Sequence, residues 1–350
     1  MRGWPYQNFP TGWFQVAWSD EVAPGAVQPM KYFARDLVCY RSDQGLVRVF
    51  DAFCPHLGAH LGYGGSLDGD AIVCPFHGWR FDGQGQNTDI PYAERPNRAK
   101  KLNSWPVREA NGAIVVWHDA LGRGPLWEPS DLPEWGRADY WSSPRLRKRH
   151  EKVRLMPQWV AENLVDPAHQ KFVHGAQDPT IITRFEVEGP MFRIFNLVEL
   201  GAGKKSTWLT PDGARAAEMN TEAWGVGIIL GRFPDQDGAI HYQAMTPIDQ
   251  EYCELNMALL IPRTAVDSSS GEELPDRRAA RRFQFLVTQL EADFLIWEHM
   301  RYNAKAPLTR TEAKPYGSFR RWARQFYPEA AGGDWTPATG EELTRTSAGG

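Results

Sequence analysis

The sequence predicts an α+β protein with an all-β domain at its N-terminus and a domain mixing strands and helices after it. Three observations carry this. Short apolar runs broken by Gly/Asp turns fill the chain up to about residue 140. Longer apolar runs, suited to strands, follow between 191 and 262. A helical period appears late, from about Asp276 to Tyr302.

Taken in order, "LVCYRSDQGLVRVFDAF" reads as a hairpin about Asp43-Gln44-Gly45, and "FDGQGQ" as another turn. "GAIVVWHD" (112–119) is a closing strand. Residues 120–144 are rich in Pro, Gly and Trp without a period, as a connector would be, and a basic run follows at 145–154. Such a run is ordinarily a solvated face, with docking of an acidic redox partner as its functional alternative. "MFRIFNLVEL" (191–200) and "YCELNMALLIP" (252–262) are strands, the latter alternating Cys253, Leu255 and Met257 with Glu254 and Asn256. The last twenty residues are polar and Gly-rich, a loose tail. The expected domains are 1–140 and 141–330, with a tail at 331–350.

With 350 residues, 42% hydrophobic and 23% charged, the chain is long enough for two ordinary globular cores. A formal charge of −4 gives no support to broad nucleic-acid binding. Neither a signal-peptide apolar core nor a run long enough to span a membrane is present, so a cytoplasmic, reducing setting is expected. There, clustered Cys and His bind metal more often than they form disulfides. Cys39 and Cys253, without a nearby His, read as small buried side chains.

Residues 54–82 hold Cys54-Pro-His56 and Cys74-Pro-Phe-His77, separated by seventeen residues. A closed Cys₂His₂ zinc site is one reading, but such sites usually pair the two Cys on one turn and the two His on a helix. One Cys and one His per loop matches a Rieske [2Fe–2S] centre, where two Cys hold one iron and two His the other. Gly58, Gly62, Gly64, Gly65 and Gly78 would let backbone approach the sulfur atoms. His60 lies outside this pattern and is expected to be a surface or hydrogen-bonding residue.

The later segment "WVAENLVDPAHQKFVHG" (159–175) places Asp166, His169 and His174 close together. Asp166-Pro167 could be a helix N-cap and first turn with incidental histidines. The alternative is a 2-His-1-carboxylate site that leaves open positions on Fe(II). Its acid is expected on the late helix, where Leu286, Leu290, Asp293 and Trp297 share one face. A carboxylate among apolar neighbours is costly unless neutral or bound to a cation. Asp293 is therefore preferred to Glu291 and Glu298, which lie on a more polar face, and His299 is read as a non-ligand.

Together, Cys-x-His-x₁₇-Cys-x₂-His and Asn163-x₂-Asp166-x₂-His169-x₄-His174 resemble the catalytic α-subunit of Rieske non-haem iron oxygenases over nearly the whole chain. The segments "DIPYAERP" (89–96), "IWEHMRY" (296–302) and "RRWARQFYPE" (320–329) look like those of 3-ketosteroid 9α-hydroxylase oxygenases and cholesterol 7-desaturases. The resemblance implies a Rieske domain and a helix-grip, START-like catalytic domain with an antiparallel sheet, assembled as a homotrimer. It implies a [2Fe–2S] cluster on Cys54, His56, Cys74 and His77, and mononuclear Fe(II) on His169, His174 and Asp293. Across a subunit interface, His77 would bond Asp166, which orients His169 and couples the two centres.

The implied partners are O₂, a small apolar substrate and a reductase fed by NAD(P)H, with or without a ferredoxin. The implied activity is hydroxylation of a steroid- or sterol-like substrate. Two alternatives are oxidation of another apolar or aromatic compound, by demethylation, desaturation or ring dihydroxylation, and electron carriage without catalysis. A bare carrier would need nothing like His169, His174 and Asp293.

Overall fold

The structure, a computed structural model, describes residues 3–176, 178–200, 215–263 and 277–331. The expected tail lies almost wholly outside them. The described residues form two compact units: Trp13–Asp131 with Thr246–Gln250, and the described parts of Met1–Gly12, Leu132–Met245 and Glu251–Gly350.

The first unit is built from eleven strands in three small sheets. These are β1 (Gly12–Trp18), β2 (Val27–Tyr32), β3 (Arg35–Arg41), β4 (Val47–Asp51), β5 (Ser66–Asp68), β6 (Ala71–Val73), β7 (Arg80–Phe81), β8 (Asn87–Asp89), β9 (Ser104–Trp105), β10 (Val107–Ala110) and β11 (Ala113–His118). The sheet orders are β1-β11-β10, β2-β3-β4-β9 and β5-β6-β7-β8. The expected hairpin about Asp43-Gln44-Gly45 joins β3 to β4, with Arg41 opposite Val47. The turn in "FDGQGQ" joins β7 to β8, and Asp82 Oδ1 accepts the N–H groups of Gln84 and Gln86. Val38, Tyr40, Phe50, Leu61, Ile72 and Phe81 are fully buried in one cluster with Cys54 and Cys74. Each such apolar side chain removed from water contributes about 1.5–3 kcal/mol, so the loops bearing the two Cys rest on a well-packed floor.

The second unit holds an antiparallel eight-stranded sheet. Its strands are β12 (Tyr140–Trp141), β13 (Arg147–Val153), β14 (Ile181–Glu188), β15 (Met191–Leu200), β16 (Arg215–Trp224), β17 (Ile228–Arg232), β18 (Ile240–Pro247) and β19 (Cys253–Pro262). The order is β12-β19-β18-β17-β16-β15-β14, with β13 also on β19. Helices α1 (Pro157–Glu162), α2 (His169–Phe172), α3 (Arg277–His299), α4 (Arg310–Ala323) and α5 (Pro328–Ala331) accompany it. The long helix α3 packs against β13 and β19. Its face Leu286, Leu290, Asp293 and Trp297 is buried throughout, as the spacing predicts.

The basic run is the strand β13 rather than a free solvated face. It pairs with β19, and its cations meet acids far away in sequence: Arg149 with Glu254, Lys148 with Glu291.

Candidate metal centres

The two Cys/His loops are built alike. Each reads Cys-Pro, two residues, Gly: Cys54-Pro55-His56-Leu57-Gly58 and Cys74-Pro75-Phe76-His77-Gly78. In both, the Gly N–H donates to the carbonyl of the Cys four residues earlier, at 2.9 Å for Gly58 and 3.0 Å for Gly78. In both, the Cys N–H donates to the carbonyl five residues on, Ala59 and Trp79 respectively. The closing glycines have φ of 78° and 72°, a left-handed conformation that costs other L-residues about 1–2 kcal/mol. The imidazole sits at the third position of one loop and the fourth of the other.

This near-repeat brings four donors together. The Cys54 and Cys74 side chains contact each other, and the His56 backbone N–H donates to the Cys54 sulfur. Burial, with the neighbouring Cys74, pushes the Cys54 thiol up to about 11. The His56 and His77 rings lie 4.7 Å apart between centroids, and His56 stacks on Trp79 at 4.6 Å. His77 Nδ1 is buried with no hydrogen-bond partner. A buried nitrogen without a donor or acceptor, and paired buried sulfurs, fit residues made to hold a cluster.

The glycines divide in role. Gly62 has no room for a Cβ because Pro29 lies in its place, and Gly65 because the Leu61 carbonyl does. Those two serve close backbone packing rather than approach to sulfur. His60 Nδ1 accepts the Gly62 N–H at 3.1 Å, the expected hydrogen-bonding role.

In the second unit, His169, His174 and Asp293 converge, each offering one ligand atom, all within 4.8 Å of one another. His174 Nε2 is 3.5 Å from Asp293 Oδ2, and the two imidazoles are 5.1 Å apart at 78°. The two His meet although five apart because α2 ends at Phe172, before His174. Burial pushes the Asp293 carboxyl up to about 7; the Asn163 side chain bonds it and pulls the other way, while the Asp166 charge pushes it further up. Burial lowers the His169 pKa against the pull of Asp166, favouring the neutral imidazole that a metal needs. Two imidazoles and a carboxylate, desolvated and convergent, fit an octahedral divalent iron with open positions. His299 is turned away, its Nδ1 against the Leu295 carbonyl at 2.9 Å. Glu291 is occupied with Lys148 and His150.

Asp166 touches His169 through its backbone carbonyl as well as its carboxylate. His169 Nδ1 donates to the Asp166 backbone carbonyl at 2.5 Å, which leaves its Nε2 lone pair for the site. The Asp166 carboxylate instead accepts the backbone N–H groups of Ala168 and His169, and the Tyr316 hydroxyl at 3.0 Å. It thus caps the turn into α2, although the helix begins at His169, two residues later than an N-cap at Asp166 would place it. Gln170 Nε2 donates to His169 Nε2 at 3.0 Å, so its amide holds the lone pair that a bound metal would take. Neither Tyr316 nor Gln170 carries a spacing signal that would have marked it.

The triad opens into a cavity of about 270 Å³ within this unit. Val160, Leu164, Ile182, Met219, Phe285 and Trp297 supply apolar wall, and polar side chains, among them Asn196, Thr221, His241, Gln243 and Gln289, alternate with it. A concave site whose surface is mostly apolar, with polar groups placed to orient a ligand, is the usual form of a small-molecule site.

Comparison with known proteins matches two domain families along the chain. Residues 12–106 match the Rieske [2Fe-2S] domain, and residues 116–327 the 3-ketosteroid 9α-hydroxylase C-terminal domain. The chain is 30% identical over 345 residues to a cholesterol 7-desaturase of Hemicentrotus pulcherrimus, covering 92% of this chain and 70% of that protein. It is 27% identical over 330 residues to the oxygenase component of a 3-ketosteroid-9-alpha-monooxygenase of Rhodococcus rhodochrous, covering 91% and 84%. Among solved structures, dicamba monooxygenase bound to 3,6-dichlorosalicylic acid superposes with a TM-score of 0.70 at 18% identity, covering 97% of this chain and 98% of that one. At that identity the likeness shows the fold alone.

Proposed function

The chain belongs to the Rieske oxygenases whose C-terminal domain is that of the 3-ketosteroid 9α-hydroxylases, and on that premise we propose that it oxidises a C–H bond of a steroid- or sterol-like substrate held in the cavity of its second unit. It is an oxidoreductase with a Rieske [2Fe–2S] cluster and a mononuclear non-haem iron, the oxygenase component of a system that includes a reductase. When bound, these groups supply single electrons and the activation of O₂.

The protein's own residues do the rest. Cys54 and Cys74 would hold one iron of the cluster, and His56 and His77 the other. His169, His174 and Asp293 would hold the mononuclear iron, with Asn163 fixing the carboxylate and the Asp166 carbonyl fixing the His169 tautomer. The apolar wall excludes water and orients the carbon to be oxidised against the triad. The observation that carries this reading is the convergence of the three ligands at the wall of an apolar cavity.

Further parts of the reading are assembly as a homotrimer, an NAD(P)H-fed reductase with or without a ferredoxin, and a cytoplasmic setting. In the trimer, His77 of one subunit would meet Asp166 of the next. Exposed apolar side chains support such burial: Leu57, Tyr63, Phe76 and Tyr92 around the cluster loops, and Phe172 and Ile181 near the triad. Among the described residues no helix is long and apolar enough to cross a membrane.

The test is turnover by the iron-loaded protein with a surrogate reductase, NADH and ¹⁸O₂, on 3-ketosteroids, sterols and aromatic acids. Oxidation of a steroid or sterol, as ¹⁸O incorporation or a new double bond, is the expected result. Turnover of the aromatic acids alone would overturn the substrate assignment.

A further inference from the structure

The strand wall of the cavity carries a feature that the iron site does not use. Thr221 on β16 lies opposite Gly231 on β17, and Gly231 opposite His241 on β18, forming one row across the sheet. Ile229 and Gln243 pair two residues along, and residues two apart face the same side. All five line the cavity.

His241 and Gln243 form a polar pair on this wall, with His241 Nε2 and Gln243 Nε2 3.3 Å apart. A neutral imidazole has one N–H and one lone pair, and a carboxamide has both a donor and an acceptor. If the amide donates to His241, the imidazole Nδ1–H and the Gln243 oxygen remain. If the amide is flipped and accepts, the imidazole Nδ1 lone pair and the Gln243 NH₂ remain. Either orientation leaves this cavity-lining pair at least one donor and one acceptor beyond their mutual contact. Burial and the nearby Arg282 keep the imidazole neutral, pushing it down to about 3. Arg282 itself is engaged with Asp237 at 3.0 Å.

Gly231 lies between them and Thr221. A Cβ built there would meet His241, Thr221 and Phe233 at 3.5–3.8 Å, ordinary contact distances. The fold therefore has room for alanine, which strand interiors favour by about 0.5–1 kcal/mol over glycine. The missing side chain leaves space in front of the polar pair, as glycine does where a ligand approaches a strand.

We propose that His241 and Gln243, with the gap at Gly231, form a specificity subsite that binds an oxygen substituent, ketone or hydroxyl, of an otherwise apolar ring-system substrate. This rests on the cavity being the substrate pocket. A hydroxyl uses both the donor and the acceptor of the pair, and a ketone only the donor.

The test is equilibrium dialysis of the iron-loaded protein against two matched pairs: a 3-ketosteroid with its 3-deoxy counterpart, and 2-tetralone with tetralin. His241→Phe and Gln243→Leu remove the polar pair at similar volume, and His241→Asn restores a donor and an acceptor. Iron content and thermal melting establish that each variant is folded. The oxygenated member of a pair should bind wild type roughly tenfold tighter, the worth of one well-made hydrogen bond. That ratio should fall towards one in His241→Phe and Gln243→Leu and return in part with His241→Asn. A preference confined to the tetralone pair, lost in the same variants, supports the subsite and removes the steroid assignment instead. No preference in wild type, or the wild-type preference in both folded variants, overturns the subsite.

Discussion

The Tyr316 hydroxyl donates to Asp166 Oδ2 at 3.0 Å, joining α4 to the turn that carries the first histidine of the triad across 150 residues of sequence. Burial and the adjacent Asp166 charge push the phenol well above its ordinary range, so it remains a donor wherever the protein is folded. With the Ala168 and His169 backbone N–H groups, it holds the carboxylate in one orientation.

Tyr316→Phe should therefore cost about 1.5–3 kcal/mol of stability, the loss of a hydrogen bond to a charged acceptor. Iron and sulfide content should be retained, while turnover per electron supplied falls roughly tenfold. Chemical denaturation and coupled product assays check both halves. Unchanged turnover would remove Tyr316 as a positioning residue.

What could be read in the sequence follows from what fixes spacing. Coordination demands Cys and His at set intervals on short loops, and a helix repeats its buried face, so the two loops, the 169/174 pair and Asp293 on its apolar stripe were all visible. Partners set only by folding left no such mark. Tyr316 reaches Asp166 from another helix. His241 and Gln243 alternate as any strand residues do, and only the ladder order shows that Gly231 and Thr221 stand beside them. The basic run of β13 looked solvated because the acids that meet it, Glu254 and Glu291, lie more than a hundred residues downstream. The common Cys-Pro-x-x-Gly frame was in plain view, but its hydrogen-bond pattern emerges only from the backbone.

That frame makes a graded prediction. A Cβ at Gly58 would meet nothing within 4 Å, so Gly58→Ala should cost only the left-handed strain, about 1–2 kcal/mol. At Gly78 a Cβ would also come within 3.0 Å of Pro91, so Gly78→Ala should cost more and retain less acid-labile sulfide. Unfolding midpoints and sulfide assays check the order; equal costs would contradict it.

His241 gives a pH signature. Its pKa lies near 3 in the fold, from burial and then the Arg282 charge, against about 6.5 in an unfolded chain. Between those values the unfolded state takes up a proton that the native state refuses. Stability from this group is whole above about 6.5 and is lost as pH falls towards 3, by at most ~1.4 kcal/mol per pH unit. Denaturant unfolding at pH 7.5 and 5.5 should show the wild type losing more stability than His241→Phe. An equal loss in both proteins would mean that His241 is not held neutral by the fold.

The central claim is that two separate iron centres are held by seven named side chains. The most direct measurement is iron and acid-labile sulfide per chain, with the reduced-state EPR spectrum, for wild type, Asp293→Ala, Cys74→Ser and His299→Ala. About three irons and two sulfides with a Rieske signal are expected in wild type and in His299→Ala, given a two-iron cluster and one further iron. Asp293→Ala should drop to about two irons with the signal intact, and Cys74→Ser should lose sulfide and signal together. Zinc at the Cys/His loops, or iron content indifferent to Asp293, would contradict the account.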